Sequence, residues 1–338
     1  MPVRKSATRL TQEERDSLLA AVVRMKANIT NPDVQEENQI SVFDQFEAVH
    51  LACLNVKVPD GSNVNMGHQG PAFLPWHREF LLWFENELVA HGSSIGLPYW
   101  DWTDHEGTNT KLFTDEYLGA RDGEIQRGYF AYHAPETDSN SFSKPEWWPD
   151  TLEGWRIKES LSHEFGTTLR REYIDRPLAV PEDVRRTMAR NTYEDRGTMI
   201  ETDPVTGRQV RQPRGFRNRL ELGNRMHNFG HGWVGGHMGH PYTSPNDLIF
   251  FFHHCNIDRL WAEWQKNGHE GIAYYPSDSS GEDEGHKLND PMWPWVGDAL
   301  GYVPSKLFED APTPDFSSSN VRTAADVMDM SSLGYVYE

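Results

Sequence analysis

Cysteine is almost missing from this chain: Cys53 and Cys255 are the only two in 338 residues. Two thiols cannot build a disulfide framework, so the fold must rest on a hydrophobic core. Long apolar runs are missing too. None approaches the ~18 residues of a membrane-spanning helix, so no membrane partner is expected. The opening MPVRKSATRL has basic residues but no apolar stretch behind them. It does not read as a secretory leader, and the expected location is cytoplasmic. Positive charge is scarce, with 32 Lys and Arg against 51 Asp and Glu and a formal charge of −19. Such a surface repels phosphate backbones, which argues against nucleic acid as a partner. Strand signals are sparse, and no internal repeat, long linker or clean domain boundary is visible.

Against these absences stands a soluble, globular composition, 37% hydrophobic and 25% charged, long enough for one large core. Fifteen histidines and twelve tryptophans stand out. Histidine is the commonest metal ligand and tryptophan fills large aromatic cores.

Helix signals are clear in three stretches. Thr11-Gln12-Glu13-Glu14 reads as a capping box opening a helix through about Met25, with Leu18, Leu19, Val22 and Val23 on its apolar side. A second helix is predicted from near Ser41, with Phe43, Phe46, His50 and Cys53 at helical spacing. A third starts at Pro75 and runs to about Ala90, before Gly92. The stretch 97–102, LPYWDW, reads as buried. From 104 to 213 the pattern weakens, with short helices predicted near 156–172 and 181–190. Leu220 to His231 reads as one helix ended by Gly235 and Gly236. Ser244-Pro245-Asn246-Asp247 opens another, which runs through HHCNIDRLWAEWQ to Gly268. The expected architecture is mainly α: a single domain over 1–338 whose central helix bundle holds a binuclear metal site. Long loops and few short strands surround it, with 276–338 as an extended strap on the core.

The histidines fall into two groups. His50 lies on the second helix, His68 in the loop after it and His77 at the start of the third helix. His227 and His231 are four apart, which places both rings on one helix face. His253 and His254 follow in the middle of the next helix. A lone histidine on an apolar face is more often a hydrogen-bonded core residue than a ligand, but this many inside well-capped helices make coincidence a poor explanation. Three imidazoles from neighbouring elements leave a metal with a vacancy for a further ligand. A di-iron carboxylate bundle needs two Glu-x-x-His motifs, and only Glu47–His50 fits. His-Glu-x-x-His, the zinc-protease signature, does not occur. All-imidazole sites suit copper, zinc, iron or nickel, with copper(II) bound tightest. Two copper ions with three imidazoles each can reduce dioxygen, which is the oxygen chemistry this ligand set favours.

The stretches GHQGPAFLPWHREFLLWFENEL (67–88), LPYWDW (97–102) and SPNDLIFFFHHCNIDRLWAEWQ (244–265) resemble tyrosinases and polyphenol oxidases, the type-3 copper phenol oxidases. The likeness is dense over 41–103 and 214–267 and looser at LGYVYE. It implies that His50, His68 and His77 bind one copper and His227, His231 and His254 the other, with dioxygen as co-substrate. His253 would then be a neighbour of the site. Asp258 would orient His254 through the ring's other nitrogen. Leu248 departs from the family's usual proline after the aspartate. Met66 stands where some members carry a cysteine cross-linked to a ligand, so no thioether is expected, and Cys53 reads as a small core residue. The resemblance further implies a phenolic substrate, ortho-hydroxylation of monophenols and oxidation of o-diphenols to o-quinones. Glu221 and Asn228 match residues proposed to orient the water that takes the phenol proton. The competing reading of Glu221 is a salt bridge to Arg217 or Arg225. An o-diphenol or o-aminophenol oxidase without monophenol activity, and an oxygen carrier of the hemocyanin kind, are the alternative functions. A separate copper-delivering protein is an expected partner.

Overall fold

The computed structural model describes residues 2–297, 301–305, 312 and 320–338, with the Glu37 side chain excepted; the remainder of the expected strap lies outside the described residues. Helix α1 (Gln12–Ala27) starts on the predicted capping box: Thr11 Oγ1 accepts from the Glu14 amide, and Glu14 reaches back to the Thr11 amide. In α2 (Asp44–Cys53), Ser41 Oγ accepts from the first-turn Asp44 amide at 3.0 Å. Helix α3 (Phe73–Ala90) begins two residues before Pro75, which still falls in the first turn, where its missing N–H costs nothing.

Three features differ from the sequence pattern. The stretch 156–172 holds two 3-10 turns, Glu159–Leu161 and His163–Phe165, and a short strand instead of a helix, while α4 (Pro181–Met188) forms as predicted. Residues 198–213 form a β-hairpin, Thr198–Thr202 on Gln209–Pro213. The predicted 220–231 helix is two helices, α5 (Phe216–Leu222) and α6 (His227–Val234). Between them Arg225 takes φ +58. That conformation breaks a helix, and it delivers the guanidinium to Asp183 (2.7 and 2.9 Å) and Asp203 (2.8 Å). The SPND segment forms a 3-10 turn, after which α7 (Ile249–Lys266) begins.

Helices α2, α3 and α7 share an aromatic core. The Phe84 and Phe251 rings stack at 3.6 Å, and Phe46 meets Phe80, Phe84 and Phe251 edge-on at 5.0–5.7 Å. Such pairs add about 0.5–1.5 kcal/mol each beyond their buried area, and they fix the three helices that carry His50, His77 and His254.

Both ends of the chain converge on Asp258. Val3–Arg4 pairs in parallel with Val336–Tyr337. The Asp258 carboxylate accepts from Arg78 (2.5 Å), Arg4 (3.1 Å), Tyr335 (2.6 Å) and Tyr337 (2.6 Å). Burial alone would raise its pKa, but the Arg78 and Arg4 charges outweigh it and hold the carboxyl below its ordinary value. Removing one member of a buried ion network costs about 3–5 kcal/mol. Asp258→Ala strips Arg78 of the carboxylate beside it, so a stability loss of that size is expected in denaturant titration. A loss within 1 kcal/mol would mean that the termini are held by other contacts.

Candidate metal centre

One ring nitrogen from each of His50, His68 and His77 can be chosen so that all three lie within 4.8 Å of one another, and the same holds for His227, His231, His253 and His254. The two groups face each other. The His77 ring stacks on His254 at 4.1 Å, and the His68 and His227 centroids are 6.2 Å apart. Close approach of α6 to α7 depends on Gly230, where a Cβ would lie 2.3 Å from the His253 ring.

Hydrogen bonds decide which nitrogen each imidazole presents. A backbone carbonyl can only accept, so His77 Nδ1, at 2.8 Å from the Phe73 carbonyl, and His231 Nδ1, at 2.8 Å from that of Met238, must carry protons. His227 Nδ1 donates in the same way to Asn228 Oδ1 at 2.8 Å. All three therefore turn an Nε2 lone pair inward. The Nε2 atoms of His227 and His231 lie 3.1 Å apart, and that of His254 lies 3.2 Å from His231. Two lone pairs at such a distance repel unless a cation sits between them. His253 is different. Trp102 Nε1 can only donate, and it meets His253 Nδ1 at 3.0 Å. The His253 proton must then sit on Nε2, which leaves that nitrogen no lone pair for a metal.

Burial pushes the pKa of His50, His68, His77, His227 and His254 well below 6.5 and that of His231 down to about 4. These imidazoles are neutral at pH 7, the form that binds a metal. The buried His77 Nε2, whose Nδ1 is already spent on the Phe73 carbonyl, has no hydrogen-bond partner. Unpaired nitrogens are costly in a core and are expected where an ion completes the site. The donor set therefore fits two soft-to-borderline metal ions held by imidazole.

Residues 40–267 match the family model described as the common central domain of tyrosinase. The chain belongs to the tyrosinase family. It is 32% identical to a tyrosinase of Streptomyces glaucescens over 303 residues, covering 87% of this chain and 93% of that one. A grixazone synthase of Streptomyces griseus is 30% identical over 313 residues, with the same coverage. A polyphenol oxidase mutant from Thermothelomyces thermophila has the same fold (TM-score 0.61, 20% identity, 100% of this chain and 89% of that one). So does a functional unit of octopus hemocyanin (TM-score 0.56, 22% identity, 100% and 68%). Tyrosinase-family proteins use a binuclear type-3 copper centre with dioxygen, and the two histidine groups fit that centre. The chain is accordingly a type-3 copper phenol oxidase.

A cavity of about 400 Å³ opens beside the centre, and His50, His68, His227 and His231 line it together with Glu221 and Asn228. Glu221 is the last buried residue of α5. Its Oε1 accepts from the Gln69 amide at 2.7 Å, and its Oε2 is paired with Arg217. The salt bridge read as a competitor in the sequence is thus present, in the same carboxylate that lines the cavity. Burial raises the Glu221 pKa and Arg217 opposes it, with a net shift upward. Asp258 does not orient His254. Its oxygens go to two arginines and two tyrosines, while His254 Nδ1 has no partner.

Several supports of the centre were missed in the sequence. Gln69 takes φ +62 next to His68, which turns its amide toward Glu221. The loop that carries His68 is pinned at Ala72 by His286 Nδ1 (3.2 Å) and at Pro71 by the Tyr193 hydroxyl (2.7 Å). Only the run of histidines and aromatics signalled these positions, and it gave no pairing. Cys53 and Cys255 are buried and free, and Cys53 Sγ donates to the His50 carbonyl at 3.1 Å. With Met66 in place of a cysteine, denatured mass measurement should show neither thiol linked to histidine. A loss of two hydrogens that survives reducing agent would contradict this.

Proposed function

We propose that this oxidase hydroxylates monophenols at the ortho position and also oxidises o-diphenols to o-quinones. His50, His68 and His77 would hold one copper and His227, His231 and His254 the other, with His253 a hydrogen-bonded neighbour. With dioxygen, the copper pair supplies the oxygen atom transferred to the ring and accepts the two electrons that leave a diphenol.

The observation that carries this reading is the shared wall of the cavity, where Glu221 and Asn228 stand beside His227. A phenol has a pKa near ~10 and needs help to lose its proton at neutral pH. Glu221 Oε1 has one bond, from Gln69, and a second acceptor site for a proton-carrying water. Asn228 Oδ1 receives the His227 proton, which leaves Nδ2 free to hold that water. A hemocyanin-like carrier would need no such proton acceptor.

One observation favours a narrower oxidase of o-diphenols or o-aminophenols: the Arg217 ion pair on Glu221 Oε2 stabilises the carboxylate and so weakens it as a base. Oxygen uptake by the copper-loaded protein with tyrosine, catechol and o-aminophenol decides. Uptake with tyrosine as well as catechol is the expected result. Uptake with catechol or o-aminophenol alone establishes the narrower oxidase, and reversible oxygen binding with no consumption makes the chain a carrier.

A further inference from the structure

The mouth of the cavity is poor in positive charge. Among the described residues no lysine or arginine lines it. The Arg217 guanidinium, paired with the lining residue Glu221, is 1% exposed. Its Nε and Nη2 go to Glu194 at 2.8 and 2.5 Å and its Nη1 to Glu221. Arg196, which reaches Glu194 from outside, is itself paired with Glu282 at 2.6 Å. Arg217 and Arg196 are therefore each matched by carboxylates, in a chain with formal charge −19.

The mouth offers carbon and aromatic faces instead. Leu222, at the end of α5, is 50% exposed and lines the cavity together with the partly buried Leu54. Pro241 and Tyr242 line it as well. Behind Tyr242 the His240 ring lies at 4.9 Å, and the His163 ring stacks on both at 5.6 and 6.0 Å. Burial keeps His240 below its ordinary pKa, so it adds no charge at neutral pH, and Glu164 lies close enough to act on it. Ring faces attract ammonium groups and not carboxylates.

We infer that this enzyme selects phenols whose side chain is neutral overall or cationic and discriminates against phenols whose tail carries a net negative charge. The inference rests on the phenol-oxidase reading, and it names the substrate class for that site. A bound phenol directs its ring to the metals and its tail outward past Leu222 and Tyr242. A carboxylate there loses water and finds no cationic side chain among the described lining residues. An ammonium meets aromatic faces and acid.

The test compares kcat/KM for dopamine, ethylcatechol and dihydrocaffeate, three catechols of similar size with a cationic, neutral and anionic tail. Because all are diphenols, monophenol hydroxylation does not enter. At low ionic strength dihydrocaffeate should fall about ten-fold or more below the other two, and added salt should narrow the gap because exposed charges are screened. Leu222→Lys, which places an ammonium among the lining residues, should raise turnover of dihydrocaffeate relative to dopamine. Equal handling of dihydrocaffeate and dopamine at low salt would overturn the inference. So would a gap that neither salt nor Leu222→Lys changes, since that gap would come from shape. Failure of the copper-loaded protein to oxidise any of the three would bring down the phenol-oxidase reading, and this inference with it.

Discussion

Alanine at any one of His50, His68, His77, His227, His231 or His254 is expected to abolish phenol oxidation and to lower bound copper, whereas His253→Ala should retain most of it. The contrast follows from which nitrogen holds the proton. His77, His227 and His231 donate from Nδ1 and aim an Nε2 lone pair inward. Trp102 forces the opposite tautomer on His253. Each proposed triad leaves a binding position open for oxygen or substrate, so losing one of its three imidazoles leaves the ion too weakly held for turnover. Removing the His253 ring instead opens a hole against Gly230 and leaves Trp102 Nε1 without an acceptor. That substitution costs stability more than metal, on the order of the 1–3 kcal/mol of an unpaired buried donor. Metal analysis and oxygen uptake on the purified variants check both halves. Full copper and normal turnover in His254→Ala, with loss in His253→Ala, would exchange the assignments of these neighbours.

The second large effect separates hydroxylation from oxidation. Glu221→Gln and Asn228→Ala should depress monophenol turnover far more than turnover of the matching o-diphenol, because general-base help is worth ~100- to 10,000-fold. An o-diphenol has a more acidic first proton and two oxygens near the centre, so it depends less on that help. Neither residue is a proposed ligand, and both variants should keep two coppers. Asn228→Ala also removes the acceptor of the His227 proton, so copper content must be measured on the same sample. The ratio of initial rates on the substrate pair is the readout. An unchanged ratio in both variants would show that the phenol proton leaves by another route.

The helices that carry the centre were legible because local signals agreed with the fold. The Thr11 box, Ser41 and the aromatic spacing of 43–53 and 73–90 all act within a few residues, and they placed α1, α2 and α3 to within three residues. What failed was decided at long range. Arg225 breaks the expected 220–231 helix because two carboxylates from the 181–213 region, Asp183 and Asp203, reward a left-handed residue there. The hairpin at 198–213 was missed because its strands are short and lie half on the surface, so their alternation is faint. The same reason hid the surroundings of the centre. Asp258 sits four residues after His254, the spacing that suggested contact. Its actual partners lie 180 and 254 residues away in sequence at Arg78 and Arg4. Histidine spacing showed which residues gather, whereas the tautomer that sets His253 apart depends on Trp102, which no spacing reveals.

The central claim is a pair of copper ions held by two facing histidine triads. Its most direct test is the metal content of the wild-type protein, purified after expression with copper and zinc both supplied and measured with protein concentration on the same sample. Two copper ions per chain, falling toward zero together with catechol oxidation when a chelator is applied and restored with it by copper, is the predicted result. Zinc as the retained metal, or a single ion per chain in fully active protein, would contradict the account.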